Sequence, residues 1–147
     1  MYKSGGFTLL EVLLSIALLG LISVLSAPMY LSFQNRNDLD IAVSTSAQSL
    51  RRAQMLAQAS TDDDAWGVKL ESPNLIIFRG TSFAARDTHF DEVYPLSSTL
   101  VFSGVTEIVF TKFFGLPTAP SVGTIILTNI NNETRNIVIN DQGMFEY

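Results

Sequence analysis

The 147-residue chain contains 9 basic and 14 acidic residues, and its formal net charge of −5 makes it a poor electrostatic partner for nucleic acid. It has a single histidine and no cysteine, which excludes the usual zinc sites and any internal disulfide. Hydrophobic residues make up 47% of the chain, and many of them lie near its beginning.

The chain begins with a short polar leader and continues into a long apolar segment. The leader, residues 1–6, carries Lys3 and ends in two glycines, and the apolar segment extends from Phe7 to Ala27. About 21 residues at 1.5 Å each form a helix about 31 Å long, close to the ~30 Å hydrocarbon core of a bilayer. We therefore predict a membrane-spanning helix over residues 7–27.

Glu11 is the one charged residue in this apolar segment. A charged side chain within a membrane-spanning helix costs roughly 2.5–3.5 kcal/mol on insertion scales, so it is normally retained because it has a partner. Cleavage after Gly6 would create an α-ammonium on Phe7, on the same chain or on a neighbour. At ~4 Å and an effective dielectric constant near 20, the attraction would be about 4 kcal/mol, enough to offset the insertion cost.

The run Gly6-Phe7-Thr8-Leu9-Leu10-Glu11 resembles the processing site of type IV pilins and type II secretion pseudopilins. The resemblance implies that a prepilin peptidase cuts between Gly6 and Phe7 and methylates the new amine of Phe7. It also implies that Glu11, the fifth residue of the mature chain, acts in assembly. The implied partners are the prepilin peptidase, other pilin or pseudopilin subunits, the inner-membrane assembly platform and the lipid bilayer.

Gly20 and Pro28 match two further positions of this family, where they bracket a part of the helix that stretches or melts in the filament. Further along the chain, Trp66-Gly67, Phe102-Ser103-Gly104 and a closing Gly143, with the order and spacing of the elements described below, resemble the minor pseudopilin H and FimT-like group. The resemblance implies a single-pass protein of the cytoplasmic (inner) membrane with its head outside, which later enters an extracellular or periplasmic filament.

Two simpler interpretations of the apolar segment are a secretory signal peptide and a plain membrane anchor. Leu25-Ser26-Ala27 offers small residues for signal peptidase, but Pro28 would follow that cut and is unfavourable there. A plain anchor would explain the length of the segment, but neither Glu11 nor the Gly6–Phe7 junction.

Residues 28–59 continue the helical pattern as an amphipathic segment. We predict one helix from Phe7 to about Ala59, interrupted only at Pro28, with Arg51 and Arg52 on a solvated face. Apolar residues recur at spacings of three and four, which predicts a stripe packed against a folded head: Leu39, Val43, Ala47, Leu50, Ala53 and Ala57.

Residues 60–147 are predicted to form a β-rich head, which makes the fold class α+β: a long helix packed on antiparallel sheets. Thr81–Tyr94 is interpreted as a polar excursion and Gly115–Gly123 as a loop. The predicted strands are Trp66–Glu71 and Leu75–Arg79 as one hairpin, Leu100–Phe102 and Thr106–Phe113 around Ser103-Gly104, Thr124–Asn129 and Arg135–Asn140 as a second hairpin, and Met144–Tyr147.

The head shows no predicted catalytic residue, metal site or cofactor site, so an enzyme is not expected. The acids Asp62-Asp63-Asp64 lack the alternate spacing of a calcium loop and indicate an exposed turn, and His89 is interpreted as a surface residue. Trp66 and the ten phenylalanines are predicted to lie in the core. The alternative function is a membrane-anchored minor pilin that binds DNA or another ligand through clustered cations: Arg79, Arg86, Lys112 and Arg135.

Overall fold

The computed structural model describes residues 6–147, except for the side chains of residues 25–28. Residues 1–5, which include Lys3 and the first glycine of the leader, lie outside the described residues. The chain divides into two compact units, Met1–Gln34 and Asn35–Tyr147.

One helix, α1, extends over 50 residues from Leu9 to Gln58, which confirms the predicted long helix within two residues at each end. Its backbone is helical through position 28, so the predicted interruption at Pro28 is wrong. A proline inside a helix removes one backbone donor, and the hydrogen bonds of the flanking turns can keep the backbone helical. The side chain of Pro28 itself lies outside the described residues.

In the first part of α1, from Leu9 to Val24, no other element of the same unit packs against the helix. Every described side chain from Leu9 to Val24 is exposed. The helix contains a window with a mean hydropathy of 2.4, which by length and composition is enough to cross a membrane. An exposed surface of this kind requires lipid or other helices around it.

The second part of α1 buries the predicted stripe against the sheets. Four of its six members are alanine or valine, and small side chains allow a sheet to approach a helix closely. The exposed fractions are at most 7%: Leu39, Val43, Ala47, Leu50, Ala53 and Ala57.

Two four-stranded antiparallel sheets complete the second unit and confirm the α+β fold class. The first sheet has the order β3-β2-β1-β5, and the second has the order β4-β6-β7-β8. Short 3-10 helices cover Thr61–Asp63 and Ala119–Ser121. The strands are β1 Trp66–Glu71, β2 Asn74–Arg79, β3 Asp87–Pro95, β4 Val101–Gly104, β5 Glu107–Phe110, β6 Gly123–Thr128, β7 Thr134–Ile139 and β8 Phe145–Glu146.

Both predicted hairpins are confirmed, and two other predictions for the strands are corrected. The polar excursion Thr81–Tyr94 contains most of β3, an edge strand in which no residue is fully buried and polar residues are in the majority, so it lacks a regular apolar alternation. Both strands predicted around Ser103-Gly104 are present, but Ser103 and Gly104 belong to β4 itself rather than to the connection. The two strands lie in different sheets, because β4 pairs with β6 and β5 pairs with β1. The chain therefore crosses from one sheet to the other between Gly104 and Glu107.

The core includes Trp66, Phe78 and Phe110, as predicted. The prediction that all ten phenylalanines are buried is wrong. Four of them are exposed by more than 60%: Phe7, Phe33, Phe113 and Phe114. Phe7 and Phe33 belong to the first unit, and Phe113 and Phe114 lie in the loop after β5.

Candidate functional site at the amino end of the helix

A reciprocal pair of hydrogen bonds caps the amino end of α1. Thr8 precedes the first helical residue, and its Oγ1 accepts a bond of 3.2 Å from the backbone N–H of Glu11. The backbone N–H of Thr8 donates to Oε2 of Glu11 at 3.4 Å. This arrangement is a capping box, in which two backbone donors at a helix end are satisfied by side chains three residues apart. The structure thus gives Glu11 a local role that our sequence reasoning missed, although Thr8-x-x-Glu11 carries its signature.

Glu11 differs from the other polar side chains of this segment. Ser15 and Ser23 donate to the carbonyls of Glu11 and Leu19 at 2.7 and 2.8 Å, so their hydroxyls are satisfied inside the helix. The carboxylate of Glu11 accepts only one long bond from a described residue. It therefore has capacity for a further donor, and its place in the first turn also favours negative charge through the helix dipole.

The predicted cleavage bond lies just before this cap. Gly6, Phe7 and Thr8 have no regular secondary structure, and Phe7 is 81% exposed. Non-helical, exposed backbone near a terminus is the type of segment that proteases can reach. The geometry thus suits cleavage between Gly6 and Phe7, which would leave the new amine directly before the N-cap residue.

Gly20 lies on the exposed surface of α1. No atom lies within 4 Å of the position that a Cβ would take there. Nothing within the described chain therefore requires a glycine, and its predicted role in helix flexibility stays a prediction, as does that of Pro28.

The model of the prokaryotic N-terminal methylation motif matches residues 1–27 of this chain. Comparisons with curated proteins and with solved structures found no match. The long helix on two antiparallel sheets is a pilin-like α+β fold, and the methylation motif covers its amino-terminal segment. Proteins with these features are generally structural subunits rather than enzymes. The motif implies processing by a prepilin peptidase, and the apolar helix is consistent with anchoring in the inner membrane before assembly.

The four cations of the predicted alternative binding site do not form a free basic patch. They lie on different elements, and each one faces a carboxylate. The pairs are Arg79 with Asp64 (3.8 Å) and Asp87 (3.4 Å), Arg86 with Asp91 (2.9 Å), Arg135 with Asp40 (3.2 Å), and Lys112 with Asp63.

Arg51 and Arg52 are both exposed, as predicted for a solvated helix face, but Arg52 also has a partner on β3. Its guanidinium donates two hydrogen bonds to Glu92 of β3, at 2.7 and 2.6 Å, and the hydroxyl of Tyr94 donates to the same carboxylate at 3.0 Å. The bond from Arg52 is the main reason why the pKa of Glu92 lies below its ordinary value. The neighbouring Arg51 is exposed, with its guanidinium 5.8 Å from the ring centre of Tyr147.

The remaining candidate residues of the head each contact other side chains of the protein and do not come together in one site. His89 is exposed on β3, and its ring meets Phe90 edge to face at 5.4 Å. Asp63 and Asp64 face Lys112 and Arg79, in agreement with the predicted exposed turn. Among the described residues, no group of three or more potential ligands is placed to hold a metal ion.

Proposed function

We propose that this protein is a pilin or pseudopilin that is cut after Gly6 and polymerises through α1 into a type IV pilus or a type II secretion or competence pseudopilus. The observation that carries the proposal is the capped amino end of α1. There a carboxylate with spare hydrogen-bonding capacity lies within the methylation motif, in the first turn of an apolar segment whose described side chains are all exposed.

The exposed first part of α1 supplies the contact surface for polymerisation. Before assembly, lipid covers the side chains from Leu9 to Val24. In the filament, the same segment of neighbouring subunits replaces lipid. Lipid tails are as apolar as these side chains, so close packing and polar contacts must select the register between helices.

Glu11 provides the polar contact in this proposal. In the precursor, its carboxylate accepts the long bond from the backbone of Thr8. Cleavage adds a positive amine on Phe7, and N-methylation of an amine preserves its charge. A subunit that meets its neighbour's amine with its own Glu11 fixes the axial position of the two helices.

The proposal also includes a subgroup of pseudopilins and a location in the cell. Its two antiparallel sheets support a place near the minor pseudopilin H and FimT-like group. The subunit would begin as a single-pass protein of the inner membrane with its head outside, and the assembly platform would then move it into the filament.

The direct test is the intact mass and the amino-terminal residue of the protein isolated from native membranes or sheared filaments. We expect a chain that begins at Phe7 and carries one additional methyl group. Gly6→Val, with a bulky residue at the cut, is the matched control and should begin at Met1. Mature wild-type material that begins at Met1 or Pro28 would overturn the proposal.

A further inference from the structure

A polar groove lies between the second part of α1 and β3, and is called here the helix–strand groove. Its volume is about 390 Å³, within the roughly 300–1,000 Å³ that is typical of sites for small molecules. All of it belongs to the second unit. Five residues of α1 and one of β3 line it: Thr45, Gln48, Ser49, Arg52, Met55 and Tyr94.

The wall that α1 contributes to the groove is mostly polar. Thr45, Gln48, Ser49 and Arg52 occupy positions i, i+3, i+4 and i+7 of the helix, so they share one face. Serine and threonine are weaker helix formers than alanine or leucine, so helix propensity does not explain their presence. The sequence of α1 therefore places a row of hydrogen-bonding groups along the groove.

Two hydroxyls in this row have no hydrogen-bond partner within the described chain, those of Thr45 and Ser49. In a helix such hydroxyls can bond to the carbonyl four residues earlier, as those of Ser15 and Ser23 do in α1. Ser49 is only 4% exposed, and its hydroxyl is open to the groove, whereas that of Ser46 is closed off inside the protein. Because an unsatisfied polar group in a buried residue is costly, these hydroxyls indicate a partner from outside the chain.

The side of the groove next to β3 is held in place by the carboxylate of Glu92. Arg52 donates to it through Nε and Nη2, at 2.7 and 2.6 Å, and the hydroxyl of Tyr94 donates to it at 3.0 Å. Nη1 of Arg52 has no partner among residues 6–147. The guanidinium and the phenol ring are thus positioned before a ligand arrives, which lowers the entropy cost of binding.

The chemistry of the groove favours a neutral ligand. Glu92 balances the charge of Arg52, so a phosphate would have to compete with this carboxylate for the guanidinium. The unpaired groups include hydroxyls and the amide of Gln48, which both donate and accept hydrogen bonds. Met55 and the ring of Tyr94 add apolar surface beside them. A sugar ring combines the matching features, because its adjacent hydroxyls donate and accept while its C–H groups form an apolar side.

We propose that the helix–strand groove binds a neutral sugar of one or two rings. Thr45, Gln48 and Ser49 bond to its hydroxyls. Nη1 of Arg52 donates a further bond, and the ring of Tyr94 faces the C–H side of the sugar. This inference goes beyond the proposed function, since the groove belongs to the second unit and does not depend on cleavage after Gly6.

Saturation-transfer NMR on the full chain tests the proposal, in a detergent without a sugar headgroup. The probes are glucose, galactose, N-acetylglucosamine, maltose and lactose, each at millimolar concentration. We expect saturation transfer to the ring protons of at least one of them. Ser49→Ala removes one hydroxyl and suits a helix, and should lower the affinity for that sugar about fivefold. The absence of transfer to all five sugars would overturn the proposal.

Ser44→Ala is the matched control, because Ser44 is an exposed serine of the same helix that does not line the groove. It should bind the sugar as the wild type does. Gln48→Ala, at an exposed position where substitution changes stability little, should weaken binding as Ser49→Ala does. If Ser49→Ala and Gln48→Ala bind no more weakly than Ser44→Ala, the sugar lies elsewhere and the proposal fails.

Inorganic phosphate tests the neutral character of the site. Added in excess at constant ionic strength, it should leave the saturation transfer to the sugar unchanged. Displacement of the sugar by phosphate would show that Arg52 binds anions, and would contradict the proposal. Neither failure changes the mass of the mature chain, so the proposed function as a filament subunit is judged separately.

Discussion

Glu11 combines two roles that substitution can separate. It closes the capping box with Thr8, and it offers a negative charge to the amine that cleavage creates. Glutamine can close a capping box as well as glutamate can, but it carries no charge. Alanine can do neither.

We predict that Glu11→Gln and Glu11→Ala are both cleaved after Gly6 and both fail to assemble, since the charge is the property that the filament uses. Cleavage is checked by intact mass and assembly by the subunit content of sheared filaments. Thr8→Val is the matched control: it removes only the side-chain cap, at a cost of about 1 kcal/mol of helix stability, and should still assemble. Normal assembly of Glu11→Gln would show that the cap, rather than the charge, is what matters.

At the scale of elements, α1 carries two surfaces for two environments. Its first part presents apolar side chains all round, and its second part buries a stripe of small residues against the sheets. The ion pair of Arg52 with Glu92 links the second part to β3, which is one of the two edge strands of the first sheet. Edge strands have one free side, so a side-chain link of this kind helps to hold β3 against the helix.

The ion pair between Arg52 and Glu92 should stabilise the protein less in acid than at neutral pH. The pKa of Glu92 is lowered in the folded protein, chiefly by the hydrogen bond from Arg52. The pair therefore stabilises the fold above the ordinary glutamate value of 4.5, and this contribution is lost as the pH falls through the lower folded value. The pair is partly exposed, so we expect it to contribute about 0.5 kcal/mol at neutral pH.

We predict that Glu92→Gln lowers the unfolding temperature of the full chain in detergent by about 2 °C at neutral pH, and by much less near pH 3. Thermal unfolding at both pH values checks this. The matched control is Glu71→Gln at an exposed position for which the described residues provide no ion pair. If the unfolding temperatures of wild type and Glu92→Gln differ by the same amount at both pH values, the ion pair between Arg52 and Glu92 does not stabilise the protein as proposed.

At the scale of the whole molecule, ion pairing leaves an acidic protein with little free positive charge. Of the 9 basic residues, seven form ion pairs, Arg51 does not, and Lys3 lies outside the described residues. Affinity for DNA depends on cations that are free to neutralise phosphates. The alternative function as a DNA-binding minor pilin is therefore disfavoured.

We predict that the full chain in detergent is retained on immobilised DNA no better than an acidic control protein, at low as well as at high salt. Retention on a DNA column checks this. Arg51→Gln removes the one free cation of the described part and should behave like the wild type. Strong retention at low salt that disappears at high salt would reinstate the DNA-binding function.

Periodicity and turn residues were sufficient to predict α1 and the two hairpins, and the resemblance of Gly6–Glu11 to a known processing site pointed to the methylation motif. These features depend on neighbours that lie a few residues apart in the chain, so the spacing of apolar residues, turn residues and Glu11 contains the relevant information. The same local information predicted the buried stripe from Leu39 to Ala57, because a regular helix places residues at these spacings on one face.

Only the tertiary structure decided which strands pair, where cations meet acids and which aromatic residues are buried. β3 contains no fully buried residue, so its pairing with β2 leaves no clear apolar alternation in the sequence. Arg52 and Glu92 are 40 residues apart and meet only because β3 returns to the helix. Phe113 and Phe114 are as apolar as any core residue, but hydrogen bonds with α1 hold their backbone at the surface. The N–H of Phe113 donates to the carbonyl of Ala57, and the side-chain amide of Gln58 donates to the carbonyl of Phe114. Contacts between distant parts of the chain determine these features, and such contacts exist only after folding.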